Sequence, residues 1–215
     1  MFTKLADPTI LDPFLSAFAC VLKPGKTAIY CSSELTSGRR WNLVLEQHGV
    51  KTNAAMKEKL GSAEYERFFQ TNMADNKGWS ARFATKVRLR HDETDVINPG
   101  PLYIPDWKGD QKLYYAFWET LIRNHVREVH FNQDWQFSSG CTYEFAVAFD
   151  AHLPTLDCEG TELSPYVAIE MVQKAVASLK EDGFDTTKLQ EHLQRMESLV
   201  SFPEQGGSIQ DRPSV

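Results

Sequence analysis

Ser138, Ser139 and Gly140 stand just ahead of Glu144, between the apolar run VREVHF and the helix-like run FAVAFDAH. A helix that starts here exposes free N–H groups and a partial positive charge at its mouth, which makes a natural phosphate seat. The serine hydroxyls add donors, and Gly140 lets the backbone approach an anion closely. A carboxylate about one turn inside, at Glu144, points to the same mouth and can attack the anomeric carbon of a sugar whose phosphate is held there. The same heptapeptide, SSGCTYE, also suits an ordinary helix start, because serine caps and early acids are both favoured at N-termini.

A second loop of similar chemistry is SSELTSGRR, residues 32–40. It carries Ser33, Gly38, Arg39 and Arg40, and paired guanidinium groups bind phosphate in bidentate fashion. Read alone, it is also an ordinary polar loop. Asp134 and Trp135 either border a base or belong to a surface loop. Tyr103 and Trp107 either stack on a base or pack. The stretch Arg82, Lys86, Arg88, Arg90 reads as a solvated helix face, with contact to a longer nucleic acid as the alternative. The six histidines show no paired metal spacing, so no metal and no cofactor is assigned.

These loops need elements to hold them. KTAIYCSS is a compact apolar run entered from Pro24-Gly25 and reads as a buried strand, followed by the helix WNLVLEQHG. Residues 51–91 contain three helix-like segments, AAMKEKL, SAEYERFFQTNM and GWSARFATKVRLR, taken together as a helical insertion. DVINP is a short strand and GPLYIPDWKGD a loop. QKLYYAFWETLIRNH is a helix with a broad aromatic face. VREVHF is a strand, NQDWQFSSG a loop and CTYEFAVAFDAH a helix. LPTLDCEG is a short strand. SPYVAIEMVQKAVASLKEDG has Ser164 to cap it, Pro165 at its first position and Gly183 at its end. DTTKLQEHLQRMESLV is amphipathic. Residues 10–22 suit a leading helix, and the tail 201–215 reads as loose.

Short apolar strands alternating with helices predict an α/β, Rossmann-like three-layer fold with a short parallel sheet, a helical insertion and C-terminal helices, in one domain over residues 1–200. Ligands in such folds collect at the carboxyl ends of the strands, so loops 32–40, 98–110 and 132–140 are the informative ones.

The totals narrow the classes. The chain has 215 residues, 42% of them hydrophobic and 24% charged, with a net charge of −6 that disfavours nonspecific binding to nucleic acid or anionic membrane. Cys20, Cys31, Cys141 and Cys158 form no CxxC pair and read as buried or half-buried free thiols. The N-terminus, with Asp7, Asp12 and two prolines in its apolar stretch, does not read as a signal peptide, and no run reaches membrane-spanning length. A reducing cytoplasm is the expectation.

As an ordered set, AIYCSSELTSGRR, VINPGPLY and VREVHFNQDWQFSSGCTYEFAVAFDAHLPTL resemble the nucleoside 2-deoxyribosyltransferase superfamily, and within it the 2′-deoxynucleoside 5′-monophosphate N-glycosidases and small phage and bacterial relatives of uncharacterised activity. The likeness spans roughly residues 26–49 and 95–160. It implies that Glu144 is the nucleophile, forming a covalent glycosyl-enzyme through an oxocarbenium-like transition state. Ser138 stands where nucleoside transferases usually have Asp and monophosphate glycosidases have Ser, which implies a nucleotide substrate because an Asp would repel its phosphate. Ser33, Gly38 and Arg39 match a phosphate-and-sugar loop. Tyr30 falls where the family often carries an aromatic residue. The family's helix Asp, which holds the base or assists proton transfer, has no direct counterpart. Ungapped counting back from Glu144 reaches Thr120 with Glu119 beside it, so Glu119, Asp106 or Asp110 substitutes, or the role is missing.

The expected function is cleavage of the N-glycosidic bond of a (deoxy)nucleoside 5′-monophosphate, the sugar passing to water or to another base. The alternative is a non-catalytic nucleotide-binding or sensing module of the same fold. The resemblance also implies a homo-oligomer.

Overall fold

The computed structural model describes residues 8–102, 107 and 110–201. Tyr103, Asp106 and the tail from 202 onward lie outside the described residues. Strand β1 (Ala28–Ser32) is flanked by β2 (Val96–Ile97) and β3 (Val126–Phe131), and β3 pairs with β4 (Thr155–Leu156). All pairings are parallel, giving the order β2-β1-β3-β4. Every residue of β1 is buried, as expected for a central strand covered on both faces, and this is why its sequence is a continuous apolar run.

Side-chain alternation along the strands separates the two faces. Ile29 and Cys31 pack with Phe83, Ala84 and Val87 of α4 (Ser62–Arg90). Tyr30, Val129 and Phe131 pack on the other face with α5 (Gln111–His125) and α6 (Ser139–Asp150). The main core there extends to α1 (Pro8–Val21), α7 (Pro165–Glu181) and α8 (Thr187–Ser201). A smaller core of Trp41, Leu45 and Met56 joins α2 (Arg39–Gln47) and α3 (Asn53–Leu60) to the first half of α4 through Tyr65, Phe68 and Phe69. The chain is thus an α/β fold with helices on both faces of a parallel sheet, as the patterning predicts.

Four local readings change. The two long helix-like segments of 62–90 form one helix of 29 residues, continuous through Gly78. A helical glycine costs only about 1 kcal/mol against alanine, and packing of both halves of α4 on separate cores outweighs it. The helix holding Glu144 starts at Ser139, before CTYEF, because Ser138 caps it by accepting from the Cys141 N–H at 3.4 Å. The loop ahead of it contains a 3-10 turn, Trp135–Phe137. The strand read in LPTLDCEG is only two residues long, because Asp157 Oδ1 accepts from the N–H groups of Glu159 and Thr161 at 2.9 and 2.8 Å and closes a turn. Cys20 is exposed, contrary to the reading of buried or half-buried thiols, while Cys31 and Cys141 are buried and Cys158 is half-buried. Among the described residues, no helix is long and apolar enough to cross a membrane.

The order β2-β1-β3-β4 means that connections leave β1 and β3 in opposite directions, so a crevice opens at their carboxyl ends. Asn132 pins those ends together. Its N–H donates to the Ser32 carbonyl at 2.9 Å and its side-chain amide to Ser33 Oγ at 3.2 Å.

Candidate active site

A cavity of about 660 Å³ lies at this crevice. Its floor is Glu144, on α6, five residues inside the helix start. Glu144 as a residue is buried, at 8% exposure, and lines the cavity. Both oxygens are held from β1: Tyr30 Oη donates to Oε1 at 2.7 Å and Ser32 Oγ donates to Oε2 at 2.6 Å. Tyr30 and Ser32 are two apart on the strand, so they face the same side. Burial raises the Glu144 pKa from 4.5 to about 7, against the two hydroxyl donors, which lower it. Burial, then the Glu144 charge, pushes Tyr30 well above its ordinary range, so Tyr30 remains a neutral donor. Cys141 also borders the cavity, but burial first and Glu144 second raise its pKa, keeping it a thiol rather than a nucleophile.

The two serine loops meet at the rim. Ser37 Oγ lies 3.4 Å from both Ser138 Oγ and Ser139 Oγ, and all three residues line the cavity beside Ser33 and Gly140. A side chain at Gly140 would meet Ser138 Oγ at 3.8 Å, ordinary contact, so its bare Cα serves open access rather than tight packing. The hydroxyls and the N-terminus of α6 face the cavity about one helical turn from Glu144.

Other expected residues fall elsewhere. Gly38 is buried against Glu34 rather than lining the cavity. Arg39 is exposed and lies over the Phe137 ring at 5.2 Å, and Arg40 bonds Asn76 Oδ1 at 2.9 Å and lies over Trp79 at 5.2 Å. Neither arginine lines the cavity; among the described residues the cations that do are Lys77 and Lys188. Asp134 adopts a left-handed turn conformation (φ 62) outside the lining, and Trp135 stacks on Phe145 at 5.1 Å as core. Glu119 is not at the cavity. It accepts from Tyr143 and pairs with Arg123 at 3.0 Å and Arg195 at 3.5 Å, and these partners outweigh burial and lower its pKa. An ionised, tied carboxylate is a poor proton donor. Asp110, an alternative to Glu119 for the family's helix Asp, does line the cavity, where its Oδ1 caps α5 by accepting from the Lys112 N–H at 3.0 Å.

Sequence reasoning missed a whole wall. Tyr65, Phe69, Met73 and Lys77 of α4, with Glu66 and Gln70 beside them, line the cavity. The signal was present, because four residues spaced by four share a helix face. From α5 come Gln111, Tyr114, Tyr115 and Trp118, while Trp107, read from the sequence as stacking on a base or packing, lines the cavity at 1% exposure. Ser32 was also missed. A second hollow of about 640 Å³ lies against β2, away from both serine loops.

The Glu144 titration has a measurable consequence. Its folded pKa lies above its unfolded value, so its contribution to stability is fully present below pH 4.5 and is lost as pH rises through about 7. Glu144→Gln removes that loss. Against wild type, the variant is expected to gain about 2 kcal/mol between about pH 5 and about pH 8 in urea unfolding. Other groups, such as His192, whose pKa burial lowers to about 4, cancel in the difference. Parallel pH curves for the two proteins would contradict the environment described for Glu144.

No protein-family model, curated protein or solved structure matches the chain.

Proposed function

We propose that this protein cleaves the N-glycosidic bond of a (deoxy)nucleoside 5′-monophosphate, with Glu144 as nucleophile. The observation that carries the reading is the Glu144 carboxylate, held through both oxygens by Tyr30 and Ser32, at a cavity whose rim is a cluster of three serine hydroxyls beside a helix N-terminus. The resemblance of the motifs to the nucleoside 2-deoxyribosyltransferase superfamily supports it.

In this mechanism Ser37, Ser138, Ser139 and the α6 N–H groups hold the phosphate, with Lys77 and Lys188 supplying positive charge. The aromatic wall of Tyr65, Phe69 and Trp118 takes the base. An oxygen of ionised Glu144 bonds to C1′ as the C1′–N bond breaks and its electron pair leaves with the base nitrogen. Glu66 and Asp110 are the other carboxyl groups lining the cavity, and protonation of the departing base is assigned to one of them. Water, or a second base, then attacks C1′ and releases the Glu144 carboxylate. Tyr30 and Ser32 hold the carboxylate in one orientation, which lowers the entropy cost of attack.

The test is a panel of common and modified nucleoside 5′-monophosphates, with free base measured as product. Release from at least one of them is expected, and silence across the panel counts against the reading. Ser138→Asp refines it, since Asp is an equally good helix cap and preserves the fold. Placing a negative charge against the phosphate costs several kcal/mol, so kcat/KM for the monophosphate is expected to fall about 100-fold or more relative to the unphosphorylated nucleoside. An unchanged preference would remove the phosphate from the serine cluster.

A binding module without turnover is the second reading. It is favoured by the commitment of Glu119 to Arg123 and Arg195 and by the raised pKa of Glu144. Nucleotide-dependent thermal stabilisation with no base release would support it.

A further inference from the structure

We propose that His91, Glu128 and His130 form a binding site for a divalent transition-metal ion of the zinc type, on the sheet face opposite Glu144. Glu128 and His130 are two apart on β3 and therefore share a face. They sit in register with Ile29 and Cys31, the β1 residues covered by α4. His91 is the residue that ends α4, so the helix terminus delivers its imidazole to the strand pair.

The distances suit coordination. His130 Nε2 lies 3.0 Å from Glu128 Oε1, His91 Nε2 lies 3.9 Å from the same oxygen, and one donor atom from each of the three residues falls within 4.8 Å of the others. Ligands about 2.0–2.1 Å from a tetrahedral zinc ion are about 3.3 Å apart, so the observed edges bracket the required one. The closing movement falls to His91, whose side chain is 29% exposed beyond a helix end, while His130 is fixed in the interior at 1% exposure. Among the described residues, the only hydrogen-bond partner of the buried His130 ring is the shared carboxylate, and its Nδ1 has none. Glu128 Oε2 faces Arg127 Nε at 3.8 Å, an outer contact that orients the carboxylate and leaves Oε1 to the histidines.

The neighbouring cation, Arg90, is turned away to the Cys158 carbonyl at 3.2 Å and the Glu159 carboxylate at 3.4 Å. Two imidazoles and one carboxylate select zinc, cobalt, nickel or copper over magnesium or calcium, which prefer all-oxygen sets. The remaining position opens to solvent past His91 and takes water. Such an ion ties the end of α4 to β3, and α4 is the helix that carries Tyr65, Phe69, Met73 and Lys77 into the cavity. The site stands independently of any reading of Glu144.

The test uses the full chain, stripped with a chelator and titrated with Zn(II) against a chromophoric competitor, and with Co(II) by visible absorption. The expected result is a single saturable equivalent, intense Co(II) ligand-field bands, and affinity about 100-fold or more weaker in His91→Ala and His130→Ala. His130 is buried and its variant tests folding as well, so the half-exposed His91 is the deciding substitution. His152→Asn, at an exposed turn, is expected to bind as wild type does. Wild type without saturable binding, or His91→Ala binding as tightly as wild type, overturns the proposal.

Discussion

Replacing Glu144 with alanine is expected to abolish base release from nucleoside monophosphates, a loss on the order of 10⁴-fold or more, while the protein stays folded. The fold survives because the carboxylate is costly where it stands. Burial raises its pKa to about 7, so its removal relieves a desolvation cost that offsets the loss of its hydrogen bonds from the buried Tyr30 and Ser32 hydroxyls. Ligand-induced thermal stabilisation separates lost chemistry from lost binding, and it is expected to persist in the variant. Tyr30→Phe gives a graded version of the result. Removing a donor that lowers the Glu144 pKa pushes the carboxyl further up, so the midpoint of the rising limb of kcat/KM against pH moves above that of wild type. Base release by Glu144→Ala within tenfold of wild type, an outcome of about 1.4 kcal/mol, would exclude a nucleophilic role.

The second large effect is structural. Gly38→Ala is expected to destabilise the protein by about 3 kcal/mol or more, because strained backbone alone costs about 1–3 kcal/mol and overpacking adds to it. Gly38 has φ 125, a conformation side-chain-bearing residues rarely adopt, and an added Cβ would stand 2.0 Å from Glu34 Oε2 and 2.9 Å from Glu34 Cβ. Glu34 cannot easily retreat. It is 2% exposed, accepts from the Arg40 N–H at 3.2 Å, and burial raises its pKa to about 7. Adding Glu34→Ala is expected to restore only part of the loss, since the Cβ contact and the backbone strain remain. The change should also displace Ser37, one residue away and part of the serine cluster, and so weaken nucleotide binding. Urea melts check the first effect and ligand-induced stabilisation the second. A Gly38→Ala melt superimposable on wild type would show that the loop is not held as described.

These two residues show how far the sequence could be read. VREVHF and QKLYYAFWETLIRNH form their elements with the boundaries the patterning gives, because buried parallel strands and amphipathic helices write period and composition directly into the chain. The convergence of loops 32–40 and 132–140 followed from the same pattern, since parallel strands put their carboxyl ends together. What escaped depends on side-chain direction. Arg39 and Arg40 have the right chemistry for phosphate, but they open α2 and lie over Phe137 and Trp79. Glu119 sits beside the expected position, yet its helix face points to Arg123 and Arg195, whereas Asp110 caps the same helix at the cavity. Gly38 was read as a ligand contact and serves instead to admit Glu34. The His91–Glu128–His130 cluster joins a helix end to a strand 37 residues further on, a separation no local motif encodes.

The most direct measurement is mass spectrometry of the protein quenched in acid during turnover of a reactive nucleoside monophosphate, followed by proteolysis. The account predicts a sugar-phosphate ester on the peptide containing Glu144, absent from Glu144→Ala and chased away by added water-accessible time or by a second base. Base release by the wild-type protein with no such ester at any quench time, and with Glu144→Ala still active, would contradict it.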